Sequence, residues 1–270
     1  MTTISPVQRK SGLALFWTVT FTTSWAFWLV AILLGGPPTS SPTVVPYLLG
    51  GFGPVFGAIA VRVRRARRGE PAPAHAVGSR PGVRWFWILP LLALASATVV
   101  AAALLADVLG GPPLSLTAGQ HLVTTAGGPV AFVISMLIGG PLAEEPGWRG
   151  TAYPRLRASM TRLQAGLLLG IIWAVWHLPL FFIPGTIQAS FGLFGLSGLL
   201  FILGVVPMGL LTVFAYERGG VPASIAVHFG VNTTIALLTV NAPPAQAIVL
   251  VVQAVAALAL LGRGPRPARA

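Results

Sequence analysis

The chain alternates between long apolar blocks and short segments rich in Gly, Pro or charge, with no period-two alternation inside the blocks. Eight blocks of about 18 to 25 residues are nearly free of charge, enough to cross a hydrocarbon core of ~30 Å as helices. They fall at roughly 11–34, 44–61, 85–109, 122–143, 163–183, 192–215, 223–240 and 245–262. A transmembrane barrel would show strands alternating between lipid and lumen, and that alternation is absent. The pattern predicts an all-α polytopic transmembrane helix bundle with a polar cavity, residues 1–270 forming a single membrane-embedded domain. The blocks ending near 61, 143 and 240 hold the most Gly, Pro or polar residues, so bundle-facing or broken helices are expected there. The first block is too long for the apolar part of a signal peptide and lacks a clear small-residue cleavage site, so it is read as a retained span.

Charge refines this picture. Only 8% of the 270 residues are charged, against roughly 25% in a soluble domain. The net charge of +12 could suggest a nucleic-acid partner, but its distribution points to a membrane. Basic residues precede the first block (Arg9, Lys10), fill the segments after the second, fourth and sixth blocks, and follow the eighth (Arg263, Arg266, Arg269). The other connecting segments contain none. With eight spans every basic residue falls on one side, and the positive-inside rule puts that side and both termini in the cytoplasm. Anionic lipid is the expected partner of this face, nucleic acid is not, and the absence of organelle signals fits a bacterial cell membrane. The segment 62–84 reads as a mobile cytoplasmic connector, and the tail 262–270 as disordered. No cysteine is present, which excludes disulfides, zinc–thiolate sites and thiol catalysis.

Two of the five acidic residues, Glu144 and Glu145, are adjacent at the end of an apolar block, with Arg149 next in the same segment. Burying a carboxylate in hydrocarbon is costly, and a neighbouring carboxylate adds repulsion. Intramembrane ionisable groups also occur at His177, in the fifth block, and at His228, in the seventh, where Asn232 follows. Glu145 and Arg149 are spaced to share a helix face, as are His228 and Asn232. Three helices could therefore bring a carboxylate pair, an imidazole and a His/Asn pair to one point. That inventory suits hydrolysis: a carboxylate or imidazole takes a proton from water, and a His/Asn pair donates hydrogen bonds to an oxyanion. Arg149 neutralises Glu145, which leaves Glu144 as the better base. Pro146 disfavours helix at the residue before it, so the chain is expected to kink or restart with Pro146 at a first helical position.

Each group also has a purely structural reading. Glu145 with Arg149 can be an ion pair, and each His can bond a backbone carbonyl. Trp173 and Trp176 read as packing or interface anchors, and Asp107 as interfacial. Glu217 beside Arg218 reads as a solvated loop pair, and His75 and His121 as loop bystanders. Several polar groups in one bundle are hard to explain this way together.

At these residues the chain resembles the CAAX prenyl protease and bacteriocin-processing (CPBP, or Abi) family. EEPGWRG, Glu144 to Gly150, is similar to its EExxxR motif; WAVWH, Trp173 to His177, to FxxxH; and HFGVN, His228 to Asn232, to HxxxN. Trp173 stands where the family usually has Phe. The likeness covers about 140–235, with the flanks agreeing in topology. It implies an intramembrane endopeptidase acting near the cytoplasmic face on a peptide or protein, lipidated in the eukaryotic members. Carried over by motif, Glu144 and His177 activate water, His228 and Asn232 stabilise the oxyanion, and Glu145, Arg149 and Trp173 shape the site. The family is usually called a metalloprotease, so Glu144, His177 and His228 are also candidate zinc ligands, beside a glutamate-type mechanism without metal. Two other classes stay open: a non-enzymatic bacteriocin-immunity or scaffolding membrane protein, and a proton-coupled transporter.

Overall fold

The computed structural model describes residues 12–78, 85–111 and 113–262. Secondary structure in these residues is entirely helical. In order, α1 is Leu13–Leu34, α2 Val44–Gly51, α3 Gly53–Arg67, α4 Ile88–Val108, α5 Thr117–Thr125 and α6 Pro129–Ile138. Then come α7 Pro141–Gly147, α8 Tyr153–Leu156, α9 Arg162–Trp176, α10 Ile187–Phe191, α11 Leu196–Leu238 and α12 Pro243–Gly262. Five helical stretches are long and apolar enough to cross a bilayer, and two bent pairs raise the count to seven. These stretches make the chain an integral membrane protein.

The eighth expected span is inside α11. A straight helix of 43 residues would run about 64 Å, twice the hydrocarbon thickness. It does not run straight, because Gly220 takes φ 70°, a conformation open to Gly at no steric cost. Beyond it, Ser224 Oγ donates to the Thr212 carbonyl at 3.0 Å. In one straight helix those residues would lie about 18 Å apart. The chain therefore folds back at Gly220, and the two halves of α11 match the blocks expected at 192–215 and 223–240.

The block expected at 122–143 is broken. Between α5 and the helical stretch from Pro129 to Leu156 the chain bends by 85°. The restart expected at Pro146 occurs earlier: Gly139 and Gly140 separate α6 from α7, and Pro141 opens α7. Pro141 suits this place, since a first-turn N–H would have no helical partner. Pro146 lies inside α7, followed by a π-helical turn over Trp148–Ala152. There the Thr151 hydroxyl donates to the Pro146 carbonyl at 3.0 Å, satisfying an acceptor of the irregular turn.

Packing places α7 at the centre. It lies against α3, α6 and α11, while α4, α9 and α12 pack on α11. Gly147 allows α7 to approach α3 closely: a Cβ there would meet Pro54 Cβ and O at 2.5 Å. Small residues at such crossings let backbones touch where hydrocarbon provides no driving force for association. α9 begins with a capping box, in which Gln164 N donates to Thr161 Oγ1 at 3.3 Å and Thr161 N to Gln164 Oε1 at 3.0 Å.

Two expectations outside the bundle core are corrected. Arg62, Arg64, Arg65 and Arg67 belong to α3, not to a loose connector, and further along the segment Val77 N donates to Tyr216 Oη at 2.9 Å. Glu217 and Arg218 lie within α11 and part company. Glu217 accepts from Tyr153 Oη at 2.7 Å and from Arg162 at 3.1 Å, and pairs with Arg157 at 3.6 Å. Arg218 stacks over Trp87 and Phe214. Arg9, Lys10, Arg80, Arg84 and the tail 263–270 lie outside the described residues.

Candidate active site

The polar residues singled out from sequence come together. Glu144 and Glu145 lie on α7, Arg149 on the π-turn, Trp173 on α9, His177 just after it, and His228 and Asn232 on the second half of α11. Glu144, Glu145, Arg149, His177 and His228 are all buried.

The two carboxylates differ in their partners. Glu145 Oε1 accepts from Arg149 Nη1 at 3.0 Å and from His228 Nδ1 at 2.8 Å. Arg149 also donates from Nη2 to the Gly209 carbonyl at 3.4 Å, and its guanidinium lies 4.3 Å from the Trp173 ring centre. An ion pair withdrawn from water, such as Glu145 with Arg149, survives only with such partners. Among the described residues Glu145 Oε2 and Arg149 Nε have no partner, so the trio of Glu145, Arg149 and His228 is tightly but incompletely satisfied.

Glu144 uses Oε2 for the protein, accepting from Trp173 Nε1 at 2.5 Å and from Trp148 Nε1 at 3.4 Å. Two indole N–H groups thereby fix the carboxylate plane. Its Oε1 makes no hydrogen bond within the described residues and faces Gly140. A Cβ on Gly140 would stand 3.4 Å from Glu144 Oε1, 3.4 Å from His228 Nε2 and 3.7 Å from Asn232 Nδ2. The missing side chain thus leaves a point where a carboxylate oxygen, an imidazole nitrogen and an amide nitrogen converge.

That point opens on a cavity of about 140 Å³. Glu144, Trp173, His177, His228, Asn232, Tyr47 and Gln188 line it, with apolar walls from Leu48, Phe52, Ile138, Leu180, Val205 and Met208. His177 Nδ1 lies 2.7 Å from the Trp173 carbonyl. A carbonyl only accepts, so Nδ1 carries the proton and the neutral ring keeps its Nε2 lone pair. The ring is held edge-on against Trp176 and Phe201.

The Trp pair does more than pack. Trp173 Nε1 serves Glu144, and Trp176 Nε1 donates to Ser24 Oγ at 2.8 Å, tying α9 to α1. Trp148, at one of the unspecified positions of the EExxxR motif, is a second donor to Glu144. Its i+4 spacing from Glu144 was the available signal. Tyr47 and Gln188 carry no local sequence signal that places them at the cavity. Asp107 and His121 lie away from it, His121 exposed beside Thr125 at 3.5 Å. His75 is on the segment after α3, where partial burial, with Arg157 nearby, pushes its imidazole below the usual value.

A zinc site would need Glu144, His177 and His228 to converge as three ligands. Among the described residues no group of three or more His, Asp or Glu side chains is placed to hold a metal ion. His228 Nδ1 is held by Glu145 and His177 Nδ1 by Trp173 O, which leaves Nε2 as the nitrogen either ring could offer to a metal. As placed, Glu144, His177 and His228 are not gathered into a three-ligand site.

Residues 126–234 match the family described as type II CAAX prenyl endopeptidase Rce1-like. The "CAAX prenyl protease 2" of Methanococcus maripaludis is 32% identical over 114 residues, which are 40% of this chain and 41% of that protein. The chain thus spans less than half the length of this relative. The matched stretch contains the whole motif set, from Glu144 to Asn232. Over residues 126–234, then, the chain is similar to the type II CAAX prenyl endopeptidase Rce1-like family.

Proposed function

We propose that this protein is an intramembrane endopeptidase that hydrolyses a peptide bond with Glu144-activated water. The observation that carries the reading is the convergence of Glu144 Oε1, His228 Nε2 and Asn232 Nδ2 around Gly140, at the wall of a cavity between apolar helices. A base and hydrogen-bond donors aimed at one point are what attack on a carbonyl needs.

In this reading water lies beside Glu144 Oε1, and His177, with its lone pair on Nε2, helps to orient it. Glu144 takes the water proton as the oxygen attacks the scissile carbonyl carbon. The carbonyl oxygen becomes an oxyanion and accepts hydrogen bonds from Asn232 Nδ2 and from His228 Nε2, which donates in the doubly protonated ring whose Nδ1–H is held by Glu145. Collapse of the tetrahedral intermediate breaks the C–N bond, and the proton on Glu144 passes to the departing amine. Glu145 holds the His228 ring through Nδ1, and Arg149 holds Glu145; Trp173 and Trp148 hold Glu144. The whole of residues 1–270 acts as one membrane-embedded unit around this centre.

The substrate class we infer is a peptide anchored in the leaflet beside the arginine-rich face, its apolar anchor received by the cavity's apolar wall. The basic segments near α3 and α9 support placing that face in the cytoplasm. The test is cleavage of a quenched fluorescent peptide, farnesylated on a cysteine four residues from its C-terminus, by the detergent-purified protein. Cleavage that is lost in Glu144→Ala and unaffected by a chelator supports the reading. Absence of cleavage by the unsubstituted protein contradicts it and favours the non-enzymatic immunity or scaffolding role.

A further inference from the structure

Within a bilayer every backbone N–H and C=O of an entering peptide must find a partner, because no water is there to supply one. A site that only cuts would leave most of the bound strand unsatisfied. The cavity therefore needs neutral hydrogen-bonding groups in addition to its hydrolytic ones.

Most polar groups on the cavity wall are already taken. Trp28 Nε1 donates to the Tyr47 carbonyl at 3.0 Å, Trp173 Nε1 to Glu144, and Trp176 Nε1 to Ser24. The Nδ1 atoms of His177 and His228 are engaged by Trp173 O and Glu145. Outside the motif residues, two lining side chains keep their full capacity. The Tyr47 hydroxyl and the Gln188 amide make no hydrogen bond among the described residues, and both residues are half-buried at the cavity. Both also lie on different elements from the motif residues, Tyr47 on α2 and Gln188 on α10. Tyr47 falls outside the family-matched stretch.

Their chemistry suits a strand. A phenol hydroxyl donates to a peptide carbonyl, and a carboxamide both donates to a carbonyl and accepts from an N–H. Neither brings a charge that would have to be buried. We propose that Tyr47 and Gln188 are substrate-positioning residues of this site, pairing the peptide backbone on either side of the bond to be cut. The inference rests on the peptidase reading and assigns to that same site its means of holding an extended peptide.

The test compares Tyr47→Phe and Gln188→Leu with the unsubstituted protein on the farnesylated peptide, reading KM and kcat separately. Each substitution keeps much of the side-chain volume and removes hydrogen bonding. One hydrogen bond to a bound strand corresponds to roughly 3- to 10-fold. The expected result is a KM raised by about that factor in each variant, with kcat changed by less than about twofold, since the bond is present before and during the reaction. A second measurement guards against a folding defect. Binding of the same peptide is measured in the Glu144→Gln background, alone and combined with each substitution, and the combined variants should bind about 3- to 10-fold more weakly. Wild-type KM and undiminished binding in both variants overturn the inference while leaving the peptidase reading intact. Failure of the unsubstituted protein to cleave or bind the peptide overturns both.

Discussion

Two carboxylate centres in this molecule use the same ingredients to different ends. Glu217 is partly exposed at the level of the arginine-rich segments, and both its oxygens are engaged, by Tyr153, Arg157 and Arg162. It ties the start of α9 and the helix after the π-turn to α11, and Arg162 carries the tie on to the α12 carbonyl of Leu261 at 2.6 Å. Glu144 is buried, also lies among aromatic rings and near an arginine, and yet one oxygen has no hydrogen-bond partner among the described residues and stands beside a cavity. The contrast shows that a buried charge is a weak indicator of chemistry by itself. Unspent hydrogen-bonding capacity facing a space that a substrate can enter is the stronger one.

The sharpest way to break this comparison is to remove each carboxylate's charge. Glu144→Gln keeps the size and the acceptor for Trp173, and should lower kcat on the farnesylated peptide by about 10²- to 10⁴-fold, the usual worth of a general base. If kcat falls by less than tenfold, Glu144 is not the base. Next in size is Arg149→Ala, which leaves the buried Glu145 carboxylate without its guanidinium partner. Breaking a buried pair costs about 3–5 kcal/mol, so the thermal unfolding midpoint in detergent should fall clearly below the parent's. An unchanged midpoint would mean that the trio does not hold α7 in place. Trp173→Phe retains the aromatic body and deletes the N–H that fixes Glu144; loss of a hydrogen bond to a charged group corresponds to roughly 10- to 100-fold in rate. It should also restore the aromatic residue usual in the family's motif, so a rate equal to the parent would assign Trp173 to packing alone. Smallest is Glu217→Gln: at the solvated rim an ion pair is worth about 0–1 kcal/mol. Peptide cleavage should stay within about twofold of the parent.

Much of this architecture is legible in the sequence. The apolar blocks anticipate the helices, the gap between the blocks at 192–215 and 223–240 anticipates the fold-back of α11, and the i,i+4 spacings put Glu145 with Arg149 and His228 with Asn232. The parts that were not legible are those decided by contacts far apart in sequence. Pro146 looked like a break because propensity is local; packing of α7 against α3 keeps it helical and moves the break to Gly139–Gly140. Glu217 looked paired with its neighbour Arg218 because adjacency in sequence suggested it. On a helix consecutive residues point apart, and Glu217 instead meets Tyr153, 64 residues away. Trp173 reads as packing from its residue type and as site-shaping only through the motif, because nothing in the sequence says that its N–H meets Glu144, 29 residues earlier. The cavity residues Tyr47 and Gln188 were invisible for the same reason.

The most direct measurement is the initial rate of farnesylated-peptide cleavage by the purified parent, Glu144→Gln and Glu217→Gln proteins, each verified as folded by its unfolding midpoint. The account predicts cleavage by the parent, a near-parental rate for Glu217→Gln and loss of at least a hundredfold for Glu144→Gln. Equal rates for the two variants, or no cleavage by the parent, would contradict it.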